Sequence, residues 1–146
     1  MAVGNLGSTD SLEKVKTEAK RYLENAKDNL QKANKDGDFY TDDKYVRTAA
    51  GIAYLGLLMM AQRIIDFNGL PKAKKNEDVQ YYQENLGKIN KKLLTYFNNG
   101  YEILHLLGYY RGATMVHIMT SGFQVYEYFL NELDKIAPER VEGMNQ

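Results

Sequence analysis

Residues 41–69 read TDDKYVRTAAGIAYLGLLMMAQRIIDFNG. Asp42 and Asp43 suit the positive end of a helix dipole. Asn68-Gly69, followed by Pro71, is the chemistry that ends a helix. The spacing therefore predicts a helix that starts near Thr41 or Asp42, runs through Ile64 and Ile65, and stops at Asn68. Its middle, Ala49–Ala61, is apolar on every side, which no ordinary surface helix tolerates. Such a helix is central to a bundle, or it buries its spare face against a second copy of the chain. Ala49, Gly51, Ala53 and Gly56 leave room for a neighbouring backbone to approach. The uncharged run Thr48–Ala61 falls short of the ~20 residues that a bilayer requires, so no membrane span is expected.

The flanking segments are periodic in the same sense. Val15, Ala19, Tyr22, Ala26, Leu30 and Ala33 step by threes and fours, opposite a face of Lys16, Lys20, Glu24, Lys27 and Asp28. Asp10 and Glu13 have capping-box spacing at its start, and Lys35-Asp36-Gly37-Asp38 ends it. Val79, Tyr82, Leu86, Ile89, Leu93 and Tyr96 form an apolar stripe that predicts one helix ending at Asn99-Gly100. Tyr101–Leu107 reads as a short helix broken at Gly108. A long helix is then expected from about Tyr109 to Leu133, with Met115, Ile118, Gly122, Val125 and Phe129 facing the core. The expected fold is all-α, an up-and-down four-helix bundle whose last helix follows a short segment broken near Gly108. Residues 1–9 are expected to be a flexible arm, 10–137 a single domain and 138–146 a frayed tail.

Composition narrows the function classes. The 146 residues contain no cysteine, 19 basic and 19 acidic side chains. A disulfide framework and thiolate metal sites are thereby excluded, and a reducing compartment fits. Zero net charge lacks the broad electrostatic footprint of a DNA or anionic-membrane binder. Met1–Thr9 has neither a basic nor an apolar signal region, and the expected location is cytoplasmic. No Glu-x-x-His appears and His117 has no partner at ligand spacing, so no metal and no cofactor is expected.

One segment breaks the even scatter of charge. Between Lys92 and Lys135 the sole lysine or arginine is Arg111, and six positions later stands His117, one of two histidines. Beside the core stripe of the last helix runs a second, uncharged polar stripe of Thr114, His117, Ser121, Gln124, Tyr128 and Asn131, which suggests partial burial. His105, inside Ile-Leu-His-Leu-Leu, reads as a core or interface histidine. Twelve tyrosines, Tyr109 and Tyr110 among them, favour a protein interface over nucleobase stacking, because the basic side chains that accompany stacked bases are missing around them. The basic concentration, Lys72, Lys74, Lys75, Lys88, Lys91 and Lys92, is where RNA phosphates would be steered.

Arg111-Gly-Ala-Thr-Met-Val-His117 resembles the Arg-x(4–6)-His signature of the HEPN superfamily, small helical bundles that include metal-independent ribonucleases and partners of nucleotidyltransferases. The helical plan is similar across most of the chain. Gly112 departs from the pattern, since HEPN ribonucleases commonly carry a polar residue there. The resemblance implies a homodimer. It implies, first, an interaction module that binds a partner protein or nucleotide without catalysis. The alternative is an endoribonuclease in which His117 takes the 2′-hydroxyl proton and Arg111 stabilises the phosphorane oxygens. Thr114, Ser121, Gln124, Tyr109 and Tyr110 are the expected binding residues. On one continuous helix, six residues would leave Arg111 and His117 about 120° apart. Their joint action therefore needs an unwound first turn or a two-fold partner.

Overall fold

The computed structural model describes residues 9–72 and 78–145. Its elements are α1 (Thr9–Leu30), a hairpin of β1 (Lys35–Asp36) and β2 (Phe39–Tyr40), α2 (Asp43–Phe67), α3 (Val79–Ile89), α4 (Lys91–Gly100), a π-helix (Tyr101–Tyr110) and α5 (Val116–Asn145). Apart from the hairpin and one isolated bridge, the regular elements among the described residues are helical. Of the arm expected over residues 1–9, residues 1–8 lie outside the described residues, as do residues 73–77, and Thr9 already belongs to α1. Glu13 pairs with Lys16 at 3.3 Å, while the Asp10 side chain expected to cap with it lies outside the described residues.

α2 matches its expected ends. Asp42 is extended and its carboxylate accepts the Lys44 N–H, and Asn68 closes the far end through the Ile64 carbonyl before Gly69 turns at φ 68°. Ala49, Ala50, Ala53, Leu57, Met60, Ala61 and Ile65 are fully buried, because α2 packs against every other helix. Counted along its whole length rather than over Thr48–Ala61 alone, α2 is long and apolar enough to cross a membrane by length and composition, a test that a buried core helix also passes. Half of that stretch is buried inside the fold.

The rods run in alternating directions. Tyr22 of α1 meets Gly56 of α2, and the hairpin that joins the two helices makes them antiparallel. Ion pairs Lys16–Asp134 and Lys27–Glu127 set α5 antiparallel to α1. α4 and the π-helix form one continuous rod, since Gly100 keeps helical φ and ψ of −64° and −41°. That rod runs back along α2, with Tyr101 against Tyr54 and Tyr109 against Gly51.

Several expectations give way. The helix predicted over Val79–Tyr96 is two helices that reverse at Asn90, which is extended (φ −165°, ψ 131°) and caps α4 by accepting the Leu93 N–H. Gln83 then faces Asn98 at 2.9 Å and Tyr82 stacks on Phe97. Asn99-Gly100 does not end a helix, and Gly108 is buried within the π-helix rather than breaking it. The last helix begins at Val116, not near Tyr109, and its backbone continues to Asn145, past the expected end at Leu133. In consequence Met115 leaves the core stripe: it is exposed and bridges to Phe39 of the hairpin. The hairpin itself was expected only as a turn, because two-residue strands are too short to show alternation.

Candidate functional site

The chain reversal between the π-helix and α5 is held by Arg47, from the start of α2. Its Nε donates to Asp43 Oδ2 at 3.0 Å. Nη1 donates to the carbonyls of Tyr109 (3.1 Å) and Tyr110 (2.6 Å), and Nη2 to that of Arg111 (3.2 Å). These carbonyls end a helix, where nothing within the helix can satisfy them and a cation is favoured. Gly112 then turns at φ 64°, with its α-carbon packed against the guanidinium. From the other side the hairpin clamps the loop: Tyr40 N–H donates to Thr114 O and Val116 N–H to Asp38 O, both at 2.8 Å.

This reversal separates the two residues of the Arg-x5-His motif onto different elements. Arg111 caps the π-helix, and His117 lies in the first turn of α5. A single helix does not carry both, so the 120° divergence expected for one does not arise. Both side chains are exposed. Among the described residues neither makes a hydrogen bond or ion pair: Arg111 does not reach Glu102, Gly100 or Leu107. The arginine that ties structure together at this end is Arg47. Sequence offered only its i, i+4 spacing from Asp43, which looks like any solvated surface pair.

The expected binding residues divide between two faces. Thr114 is half-buried and held by its backbone in the hairpin contact, and Ser121 is half-buried on α5. Gln124 lines a polar groove of about 450 Å³ with Lys27, Thr120, Glu127, Tyr128 and Asn131. The uncharged stripe is therefore mainly exposed in the single chain, where partial burial was expected: His117, Gln124, Tyr128 and Asn131 all face solvent. Tyr109 lies elsewhere, on an apolar groove of about 540 Å³ between α2 and the π-helix. Tyr110 beside it is 69% exposed.

His105 organises that second groove. Its ring stacks on Tyr54 at 4.7 Å, Tyr101 at 5.4 Å and Tyr109 at 5.9 Å between centroids. Half-burial among these rings disfavours the charged imidazole and lowers its pKa from the ordinary histidine value. The same desolvation pushes the Tyr54 hydroxyl far up. π-helical turns are rare and concentrate at functional sites. This one carries the stacked rings of Tyr101, His105 and Tyr109, a feature that apolar periodicity could not distinguish from an α-helix.

Lys88, Lys91 and Lys92 are exposed around the Asn90 turn. The whole of α4, about 15 Å, and the π-helix beyond it separate them from Arg111. These three lysines thus lie at the opposite end of the rod from the motif, while Lys74 and Lys75 lie outside the described residues. Among the described residues no group of three or more His, Cys, Asp or Glu could hold a metal ion.

The family model described as Domain of unknown function (DUF5618) matches residues 14–135. Among solved structures, a protein of unknown function from Dyadobacter fermentans is 37% identical, with a TM-score of 0.72 over 85% of this chain and 96% of that one. No curated protein matches.

Proposed function

The chain belongs to the family described as Domain of unknown function (DUF5618), and from its geometry we propose a small cytoplasmic, dimerising interaction module, HEPN-like in plan, that binds a partner protein or nucleotide without catalysis. In this reading α1, α2, the α4–π rod and α5 are an up-and-down four-helix bundle, with α3 folded back on it. One observation carries the proposal: the Arg111 and His117 side chains are both exposed and, among the described residues, make no hydrogen bond or ion pair, while the neighbouring Arg47 is fully engaged with four acceptors. A free guanidinium and a free imidazole on either side of a clamped turn form a recognition point for a phosphate group. The uncharged polar residues running down α5 from His117 offer hydrogen bonds to the rest of a ligand. Calorimetric titration with AMP, ADP and a short single-stranded RNA tests this. Binding should be lost in Arg111→Ala and kept in Lys88→Ala; no binding, or equal binding by both variants, would sink the nucleotide reading.

The same exposure supports the ribonuclease alternative. His117 would accept the 2′-hydroxyl proton as that oxygen attacks phosphorus, and Arg111 would meet the negative charge that builds on the phosphorane. Gly112 and the remote lysines weigh against it. Incubation of labelled single-stranded RNA with the chain in EDTA decides: cleavage abolished by His117→Ala establishes the enzyme, and intact RNA removes it.

A further inference from the structure

One face of α2 is open at Lys44, Thr48 and Leu55 and half-buried at Met59, Gln62 and Asp66, where Gln62 also donates to the Tyr81 hydroxyl of α3. Lys44, Thr48, Leu55, Met59, Gln62 and Asp66 follow one another at three, four or seven positions, which places them on one helical face. No charge lies on that face between Lys44 and Asp66. At its centre Leu55 is 57% exposed, flanked by half-buried Ile52, Leu58 and Met59 and extended by Tyr109 and Tyr110 of the π-helix. The groove of about 540 Å³ opens along this strip. The other charged side chains of the helix's outer side, Arg47 and Arg63, flank the strip instead of interrupting it.

The two ends carry opposite charges, and Lys44 and Asp66 are equidistant in sequence from Leu55, about three turns on either side. Among the described residues neither takes part in an ion pair. Lys44 Nζ lies 4.8 Å from the Tyr45 ring centroid, and Asp66 accepts one hydrogen bond from Gln62. Ile52 and Leu58 are likewise equidistant from Leu55.

We propose that a second copy of this chain covers this face, α2 against α2 in antiparallel fashion, about a two-fold axis at Leu55. A two-fold contact requires that each residue i meeting j be matched by j meeting i. With the axis at Leu55, Lys44 faces the partner's Asp66, Ile52 faces the partner's Leu58, and the two Leu55 side chains meet. Both unpaired charges are then neutralised, and the exposed leucine and tyrosines leave water. This arrangement specifies the surface for the dimerisation proposed above and is independent of nucleotide binding.

Sedimentation equilibrium on the full chain tests it. Wild type should be dimeric at micromolar concentration, and Leu55→Glu monomeric with an unchanged circular-dichroism spectrum. Lys44→Asp or Asp66→Lys alone should weaken the dimer about tenfold, because each puts two like-charged pairs at the interface. An equimolar mixture of those two single variants should recover it, since the heterodimer restores opposite charges at both ends. A dimer unaffected by Leu55→Glu, or single variants that the mixture does not rescue, would overturn this surface while leaving dimerisation standing. A monomeric wild type would overturn both.

Discussion

The guanidinium of Arg47 occupies the space that a β-carbon on residue 112 would need: such an atom would lie 2.6 Å from Arg47 Nε and 2.8 Å from Cζ. Gly112 is therefore required twice, by its φ of 64° and by the arginine packed against it. The two residues form one device that ends the π-helix and launches α5.

Replacing Arg47 with alanine removes three donors from the carbonyls of Tyr109, Tyr110 and Arg111. Because the site is partly solvated, a loss of about 2–3 kcal/mol is expected by urea denaturation. Arg47→Lys should recover less than half, since an ammonium cannot span the three carbonyls as the planar fork does.

Gly112→Ala and Gly37→Ala separate backbone strain from crowding. Both glycines have φ near +63°, but nothing lies within 4 Å of a β-carbon at Gly37. Gly37→Ala should cost about 1 kcal/mol of left-handed strain, and Gly112→Ala distinctly more. In an Arg47→Ala background the two costs should converge. If they stay apart, the guanidinium is not what crowds residue 112.

Gly56 lets α2 close on Tyr126, whose buried hydroxyl donates to the Ala19 carbonyl at 2.6 Å. A β-carbon at Gly56 would clash with that hydroxyl and lie 2.7 Å from the Tyr22 β-carbon. Gly56→Ala should cost about 2–3 kcal/mol by overpacking, and Tyr126→Phe about 1 kcal/mol for the lost bond. Combined, they should cost less than their sum, because phenylalanine vacates the nearest clash. Strict additivity in thermal melts would argue that Tyr22 sets the whole penalty.

His105 makes stability depend on pH. Burial holds its folded pKa below the ordinary value, so the unfolded chain binds the proton more readily. Stability is fully present above the unfolded histidine value of about 6.5 and falls as pH drops through it. Urea midpoints at pH 7.5 and 5.5 should differ more for wild type than for His105→Phe, which keeps a stacked ring. Equal differences would show that the imidazole does not titrate in this stack.

The ends of α2 and the apolar face of α1 were legible in the sequence, as was a break between Tyr101 and the last helix, though not its position. Asp42, Asn68 and Gly69 act on backbone groups within a few residues, so their chemistry is local and readable. The motif Arg111-x5-His117 could be found, but not the turn inside it. Arg47 and Gly112 are 65 positions apart in sequence, and nothing in the surroundings of either points to the other.

Caps and apolar periodicity, which depend on neighbours three or four residues away, determined by themselves that this chain is helical and that α2 is too apolar to be a surface helix; its central place came from the packing. Only the tertiary structure decided that the apolar period through Leu86, Ile89, Leu93 and Tyr96 spans a reversal at Asn90, because a helical hairpin preserves the same spacing as a continuous helix. It also decided that Tyr101–Tyr110 winds as a π-helix around His105, since the competing ladders differ by one residue per turn and packing against α2 chooses between them. The separation of Arg111 from His117 was decided in the same way, by an arginine from a different helix that satisfies the carbonyls of Tyr109, Tyr110 and Arg111 where the π-helix ends.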